Sequence, residues 1–506
     1  MKKTITLLVL CTVFAFSALA QNLTKLGVST VKVKDFGEIV YDNEIRGYYF
    51  FYMLDKKTPG VDTYQLSVLD ENLREVSSVE ILRPKLSQLL EIAFNGQAFA
   101  LLFLNGQGRS LEMVSYDKTL KNKNTIRKEE ASSKEWFFLE ELGLYGTIMP
   151  MENFRKKWLI PLKDTGFAFY IKTGRNAVMS YQLECFDNSL KSIWVKKAQR
   201  KESTMIGLEN IFQDSKYVGS MTHSLLSIAI GKKIEPYNGE QILVHEKKTG
   251  NSIATIPVSD EKYHLKPTKV IYDSVAHVVD VFGDLYEKKI YYYTSRCIGM
   301  FKMSFDFSGK LLEKKLVEWQ GWQGHYDLDE KGKTKEGDSF FVHETLKTNE
   351  GDVFLIGEEY RDMHPGSVAY NMIVLQFDSN FKLKKKYVFD KKQTAKKKSN
   401  KATNTYEDRS LAKTSQYKNF DYEFSNVTDR GNAFMVAYEE PVEDKKNNKY
   451  NILMYTPEKT FVTDKITAGN GKSEIFINRA KPGYILITEY FEKDKKLDMR
   501  LEKINY

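Results

Sequence analysis

The chain has 506 residues, 13% of them aromatic, and carries 76 Lys and Arg against 67 Asp and Glu, a net charge of +9. That excess is local: Lys391–Lys418 holds nine basic residues against Glu407 and Asp408, so the rest is near neutral and no basic face for nucleic acid runs along it. Three cysteines in so long a chain exclude a disulfide scaffold.

The first twenty residues read as an export signal. Lys2 and Lys3 precede an apolar run from Thr4 to Phe16, and Ala18 and Ala20 supply the small residues a signal peptidase needs. The run is too short to span a bilayer, and Cys11 lacks the small residues that precede a lipid-modified cysteine. A cleaved, soluble product beginning at Gln21 is expected, with no membrane span. Its two cysteines, Cys185 and Cys297, are expected as buried thiols on separate strands.

From there on, strand signals dominate and one phrase recurs. An apolar strand ends in an aromatic or aliphatic residue plus Asp, and a few residues later Leu or Phe opens another strand. The phrase appears at Asp70 with Leu73, Asp117 with Leu120, Asp187 with Leu190, Asp306 with Leu311, and Asp378 with Phe381 and Leu383. Its best copy is Asp352–Gly357, Tyr370–Phe377 and Lys382–Phe389. The same layout fits Ala98–Phe103, Leu111–Tyr116 and Leu120–Ile126. Looser copies are Phe167–Ile171, Met179–Phe186 and Leu190–Val195, then Leu225–Ile230, Gln241–His245 and Ser252–Ile256. Lys289–Thr294, Gly299–Phe305 and Leu311–Val317 follow, and then Phe434–Tyr438, Tyr450–Tyr455 and Thr460–Ile466.

Taken as third strands, these segments end at Asp70, Asp117, Asp187, Glu246, Asp306, Asp378 and Thr456, with Leu497–Ile504 as an eighth. The last unit lacks a fourth strand, which Lys25–Lys34 would supply if a bulge absorbed its shift of apolar phase. The fold class expected is all-β: residues 21–506 form one β-propeller of eight blades, with seven as the near alternative and two β-sandwiches as the competing architecture. Two interruptions are expected. One is a short amphipathic helix at 132–143, opened by the capping box Ser132–Glu135; the other is a solvated, mobile loop at 391–418.

The recurring Asp residues read as turn caps rather than acid–base or calcium groups. The richest local cluster is Trp319, Trp322, His325 and Tyr326, where flat rings beside an imidazole in a glycine-containing segment suit a sugar or aromatic ligand. The competing reading packs those rings against neighbouring blades. Asp327–Asp338 fills a calcium loop only in part, with Lys331 at its fifth position, and no cofactor is implied. Phosphate-loop, dinucleotide and nucleophile-elbow patterns are absent, and His343-Glu344 lacks the second His of a zinc helix. Glu358, Glu359 and Asp362 border one hairpin and read as solvated turn charge, although such carboxylates could serve a glycosidase.

The export signal, the repeated four-strand unit and the missing catalytic signatures together resemble uncharacterised exported β-propeller-like proteins of Gram-negative bacteria. The resemblance implies a periplasmic or secreted location and transfers no functional residues. Two functions are carried forward. The first is a binding or scaffold protein presenting loops on one propeller face to a protein or glycan. The second is a carbohydrate-active hydrolase with carboxylates lining the central channel.

Overall fold

Antiparallel pairing dictates the architecture. The computed structural model describes residues 22–31, 36–41, 44–85, 87–105, 110–121, 123–129, 159–175, 178–197, 204–226, 240–273, 276–288, 296–363, 366–391, 420–428, 431–440, 447–469 and 471–505. These residues form eight antiparallel sheets, seven of them joining strands in sequence order from the inside outwards and the eighth taking its outer strand from Asn22–Leu26. First strands neighbour one another between blades 2 and 3 and from blade 4 through blade 8, so they lie nearest the axis. In blade 1 the first strand is split into Val28–Thr30 and Phe36–Tyr41, both paired to Glu44–Leu54. The expected third strands are found in all eight blades, from Val61–Asp70 in blade 1 to Lys496–Lys503 in blade 8.

Some boundaries differ from expectation. In blade 4 the second strand is Tyr217–Leu226, and in blade 5 it is Val278–Glu287, ahead of the segments 225–230 and 289–294. The expected signal at 1–20, the helix at 132–143 and all of the Lys-rich stretch except Lys391 lie outside the described residues.

The ring closes through the chain's early residues, but not as one bulged strand. Asn22–Leu26 pairs antiparallel with Lys496–Arg500 and completes blade 8, whereas Val28–Thr30 already belongs to blade 1. Between them Gly27 has φ +72, a left-handed conformation that glycine adopts without a Cβ penalty. The shift of apolar phase in the sequence is therefore a change of blade.

The repeated phrase is the joint between blades. Asp187 Oδ1 accepts the N–H groups of Ser189 and Lys191, both at 2.9 Å, and Asp70, Asp117, Asp306 and Asp378 cap their turns the same way. The residue after the cap docks on the preceding blade. Ser115 Oγ donates to the Asn188 carbonyl (2.9 Å), Trp194 Nε1 to that of Lys247 (2.7 Å) and Lys302 Nζ to that of Ser379 (2.8 Å).

The following Leu opens a strand, as the sequence suggested, only at Leu311 and Leu383. Leu73, Leu120, Leu190 and Phe381 sit in the turn with φ of 60–64° and plug the core between blades. Apolar burial offsets the cost of the left-handed backbone there. Leu190→Gly should relieve roughly 1 kcal/mol of backbone strain yet lose about 3 kcal/mol of packing. A lowered denaturant midpoint with an unchanged slope is the expected result.

Eight apolar clusters fill the eight spaces between blades, so the core is a ring rather than a centre. Cys185 is buried between blades 3 and 4 and Cys297 is half-buried near blade 6, and neither is in a disulfide. His245 lies near Trp194, with ring centroids 6.2 Å apart. Burial, and secondarily Lys196, pushes its imidazole down to about 4. A folded-state value below the unfolded 6.5 means the unfolded chain takes up the proton first. His245 should therefore contribute stability that is complete above about pH 6.5 and lost as pH falls towards 4. Acid titrations of stability should be shallower over that window in His245→Gln.

Candidate binding face

Strand direction alternates from the inside outwards, so connections after first and third strands leave one face and the rest leave the other. On the first, the turn face, no connection between strands exceeds five residues. The opposite, connection face receives the ends of 130–158, 227–239, 319–338 and 390–421.

Blade 6 anchors two of these connections. Its strands are Ser339–Lys347, Val353–Met363, Gly366–Phe377 and Leu383–Phe389. Alternation along Val353–Met363 sends Phe354 and Ile356 to the core shared with blade 7, and Val353 and Leu355 to the core shared with blade 5. Glu358 and Glu359 continue those two rows. Neither is the solvated turn charge expected from sequence: they are 0% and 7% exposed.

Glu358 binds His343 Nε2 at 2.7 Å and the ammonium of Lys391, and accepts the N–H groups of Asp421 (3.2 Å) and Tyr422 (3.3 Å). Lys391 also binds Asp421 Oδ2 at 2.9 Å. His343 occupies a bulge in the first strand, where Val342 pairs Gly357 and Glu344 pairs Ile356. It stacks on Tyr422, with centroids 4.6 Å apart, and meets Phe341 and Phe420 edge-on. The Lys391 side chain is thus fully buried, which corrects its assignment to a solvated loop. It and Asp421 clamp the two ends of the 6-to-7 connection.

Charge within the clasp is unevenly held. Burial opposes ionisation of Glu358, but Lys391 and then His343 outweigh it and hold the carboxyl well below the usual range. Burial pushes Asp421 up; Lys391 offsets this only in part, and Glu358 adds to the rise. Lys391 is raised because its two carboxylates outweigh its burial.

Glu359 holds the other connection. It accepts Tyr326 OH at 3.0 Å and Asn371 Nδ2 at 3.2 Å, and pairs with Lys386 at 3.0 Å; the Lys386 ammonium lies 3.7 Å from the Tyr326 ring centre. Trp319–Trp322 forms a 3₁₀ turn, with Trp319 and Trp322 edge-to-face at 4.9 Å, and Trp319 Nε1 donates to the Cys297 carbonyl. Trp322 also meets Phe377. Of the four residues read as a ligand cluster, Trp319, Trp322 and Tyr326 are buried in the core between blades 5 and 6 and His325 is exposed. Three rings are therefore committed to holding the connection down.

The carboxylates of Asp327–Asp338 turn to different partners. Asp329 caps the N–H groups of Lys331 and Lys333, Asp327 accepts that of Gly324, and Asp338 binds Arg361. No grouping able to hold a metal occurs among the described residues. Carboxylates on first strands are also engaged: Glu344 with Lys269 at 2.7 Å, and Glu38 with Arg479 at 2.6 Å. Glu358 and Asp421 do converge, but on Lys391 in a closed interior. Sequence reasoning missed Glu358 and Asp421 as anchors; the only trace was an acidic pair inside a strand otherwise reading as core.

The architecture defines an eight-bladed β-propeller closed by its own early strand. The chain belongs to the family of unknown function DUF6770, whose model matches residues 1–371 and 366–505. No curated protein matches it. Solved structures similar to it include prolyl oligopeptidase B from Galerina marginata, at 10% identity and TM-score 0.39, covering 94% of this chain and 56% of that one. A hypothetical selenium-binding protein from Sulfolobus tokodaii is 11% identical, with TM-score 0.38 and coverage of 81% and 88%. The β-propeller domain of the Trilobed protease from Pyrococcus furiosus is 9% identical, with TM-score 0.30 and coverage of 69% and 94%. The chain spans about half the length of the prolyl oligopeptidases it matches. No helix among the described residues is long and apolar enough to cross a membrane.

Proposed function

We propose that the protein is an exported binding or scaffold protein that holds an acidic partner, a protein or a glycan, on its connection face. The observation that carries this reading is the division of work between faces. Short capped turns on one face join the blades, while two of the long connections leave the other from rigid anchors at Glu358 and Glu359. Fixing both ends of a long segment limits the conformational entropy lost when it meets a partner. The connection clamped by Lys391 and Asp421 also carries the chain's charge excess, which favours an acidic partner and a salt-dependent association rate.

The test replaces 392–419 by a short Gly-Ser linker that keeps Lys391 and Asp421. Pull-downs from envelope extract and a glycan array should lose a salt-sensitive partner while the melting temperature stays within a few degrees of the parent. Unchanged capture would sink the reading. Export is tested separately, by mass spectrometry of the protein recovered outside the cytoplasm, which should begin at Gln21.

A further inference from the structure

The turn of blade 5 departs from the repeat on the face opposite the anchors. Blades 1, 2, 3 and 6 place Leu73, Leu120, Leu190 and Phe381 in the left-handed position; blade 4 has Gly250 there at φ +70, blade 7 Thr460 at +61 and blade 5 Gly309 at +86. Its bulky apolar residue has moved to the turn's tip as half-buried Phe307, where blade 6 has Ser379. Phe307 lies against Tyr272 and Tyr217, with centroids at 5.0 and 5.2 Å, and 5.9 Å from the ring of His277.

Beside it runs a hydrogen-bonded chain drawn from two blades. Asp214, in the first turn of blade 4, is fixed by the N–H groups of Lys216 and Tyr217, both at 2.6 Å. Tyr272 OH donates to Asp214 Oδ2 at 2.8 Å and lies 3.0 Å from His277 Nδ1. A phenol has one hydrogen, and it points to the carboxylate, so the Tyr272 oxygen accepts from Nδ1–H. With the hydrogen on Nδ1, the ring nitrogen left to accept a hydrogen bond is Nε2. His277 is exposed and holds a left-handed backbone, φ +54, at a position with no glycine. Such strain in a non-glycine residue costs about 1 kcal/mol or more and persists where the surroundings impose it. Burial, then the bond to Asp214, holds the Tyr272 phenol far above its usual range, so it stays protonated.

We infer that this face carries a second site, in which a neutral sugar ring lies against Phe307 and donates a hydroxyl hydrogen to His277 Nε2. An oriented acceptor beside aromatic faces suits a hydroxyl-rich ring. Asp214 and Asp273 act on Tyr272, while the Lys247 ammonium donates to the Asp214 carbonyl, so charges of both signs surround the site and a ligand without net charge suits it. Tyr272 is the positioning residue, because it fixes the tautomer. The site lies apart from the connection face and does not depend on what binds there.

The probes are maltose, cellobiose and lactose, added to the full chain carrying ¹⁵N-labelled histidine. The free protein should show His277 protonated on Nδ1, and at least one sugar should shift its Nε2 resonance saturably in the millimolar range. Affinity should fall at least tenfold in Phe307→Ser, which copies the blade 6 turn, and in His277→Asn, which tolerates the left-handed backbone. Tyr272→Phe should give a mixture of tautomers. If Phe307→Ser melts early, the exposed His277→Asn carries the comparison. No saturable shift with any of the three sugars overturns the inference. So does an Nε2–H tautomer, equal affinity in His277→Asn, or a response to tetramethylammonium alone.

Discussion

Glu358→Ala should destabilise the propeller by about 3–5 kcal/mol, the usual loss when one partner of a buried ion pair is removed. The carboxylate bridges His343 and the N–H groups of Asp421 and Tyr422, and it shares Lys391 with Asp421. Without it, Lys391 is left with Asp421, whose own carboxyl burial has pushed upward. Glu358→Gln keeps an acceptor for the two N–H groups and should lose less. Glu358→Gln with Lys391→Met removes both charges and should recover much of the loss, since apolar replacement of a whole buried pair is often near neutral.

The pH dependence has a definite sign. The folded value of Glu358 lies below the unfolded one, so its contribution is present above about pH 4.5 and disappears as pH falls through the folded value. The stability gap between the parent and Glu358→Gln, followed by urea unfolding, should therefore narrow below pH 4.5. A gap independent of pH would mean that packing, not charge, holds the clasp.

Much of the fold was legible because a propeller repeats its chemistry. Asp caps the same turn in several blades, and the side-chain period of two marks the second and third strands as apolar runs. Strand ends in blades 4 and 5 were harder. Val278–Glu287 contains Asp280 and Asp284, charged residues that break up its apolar run, yet both are buried, and Asp280 is paired with Lys347 and Ser304. The same error hid the anchors. Glu358, Glu359 and Lys391 look like surface charge until blade 7 and the Trp319–Tyr326 segment are placed on either side of blade 6. A single sequence gives the face of a strand but not what lies across that face. The Trp pair was visible for the same reason, and its burial depends on the same missing neighbour.

Removing residues through Leu26 should open the ring, and the largest loss of protection should fall at the far end of the chain. Asn22–Leu26 supplies the outer edge of blade 8, paired residue for residue with Lys496–Arg500. The joint is tightened by Tyr490 OH on the Ser29 carbonyl (2.5 Å), by Val28 N–H on that of Lys495 (2.9 Å), and by Leu73 packed among Leu486, Tyr490 and Met499. Hydrogen exchange in Tyr484–Phe491 and Lys496–Lys503 should accelerate more than in blades 3 to 5, ahead of global unfolding. Two point variants separate pairing from burial on this strand. Leu23 packs against the core between blades 8 and 1, whereas Leu26 is 73% exposed. Leu23→Asp should cost about 2–3 kcal/mol, and Leu26→Asp should stay within about 0.5 kcal/mol of the parent. Equal effects would show that the strand does not hold the register by which it closes the ring.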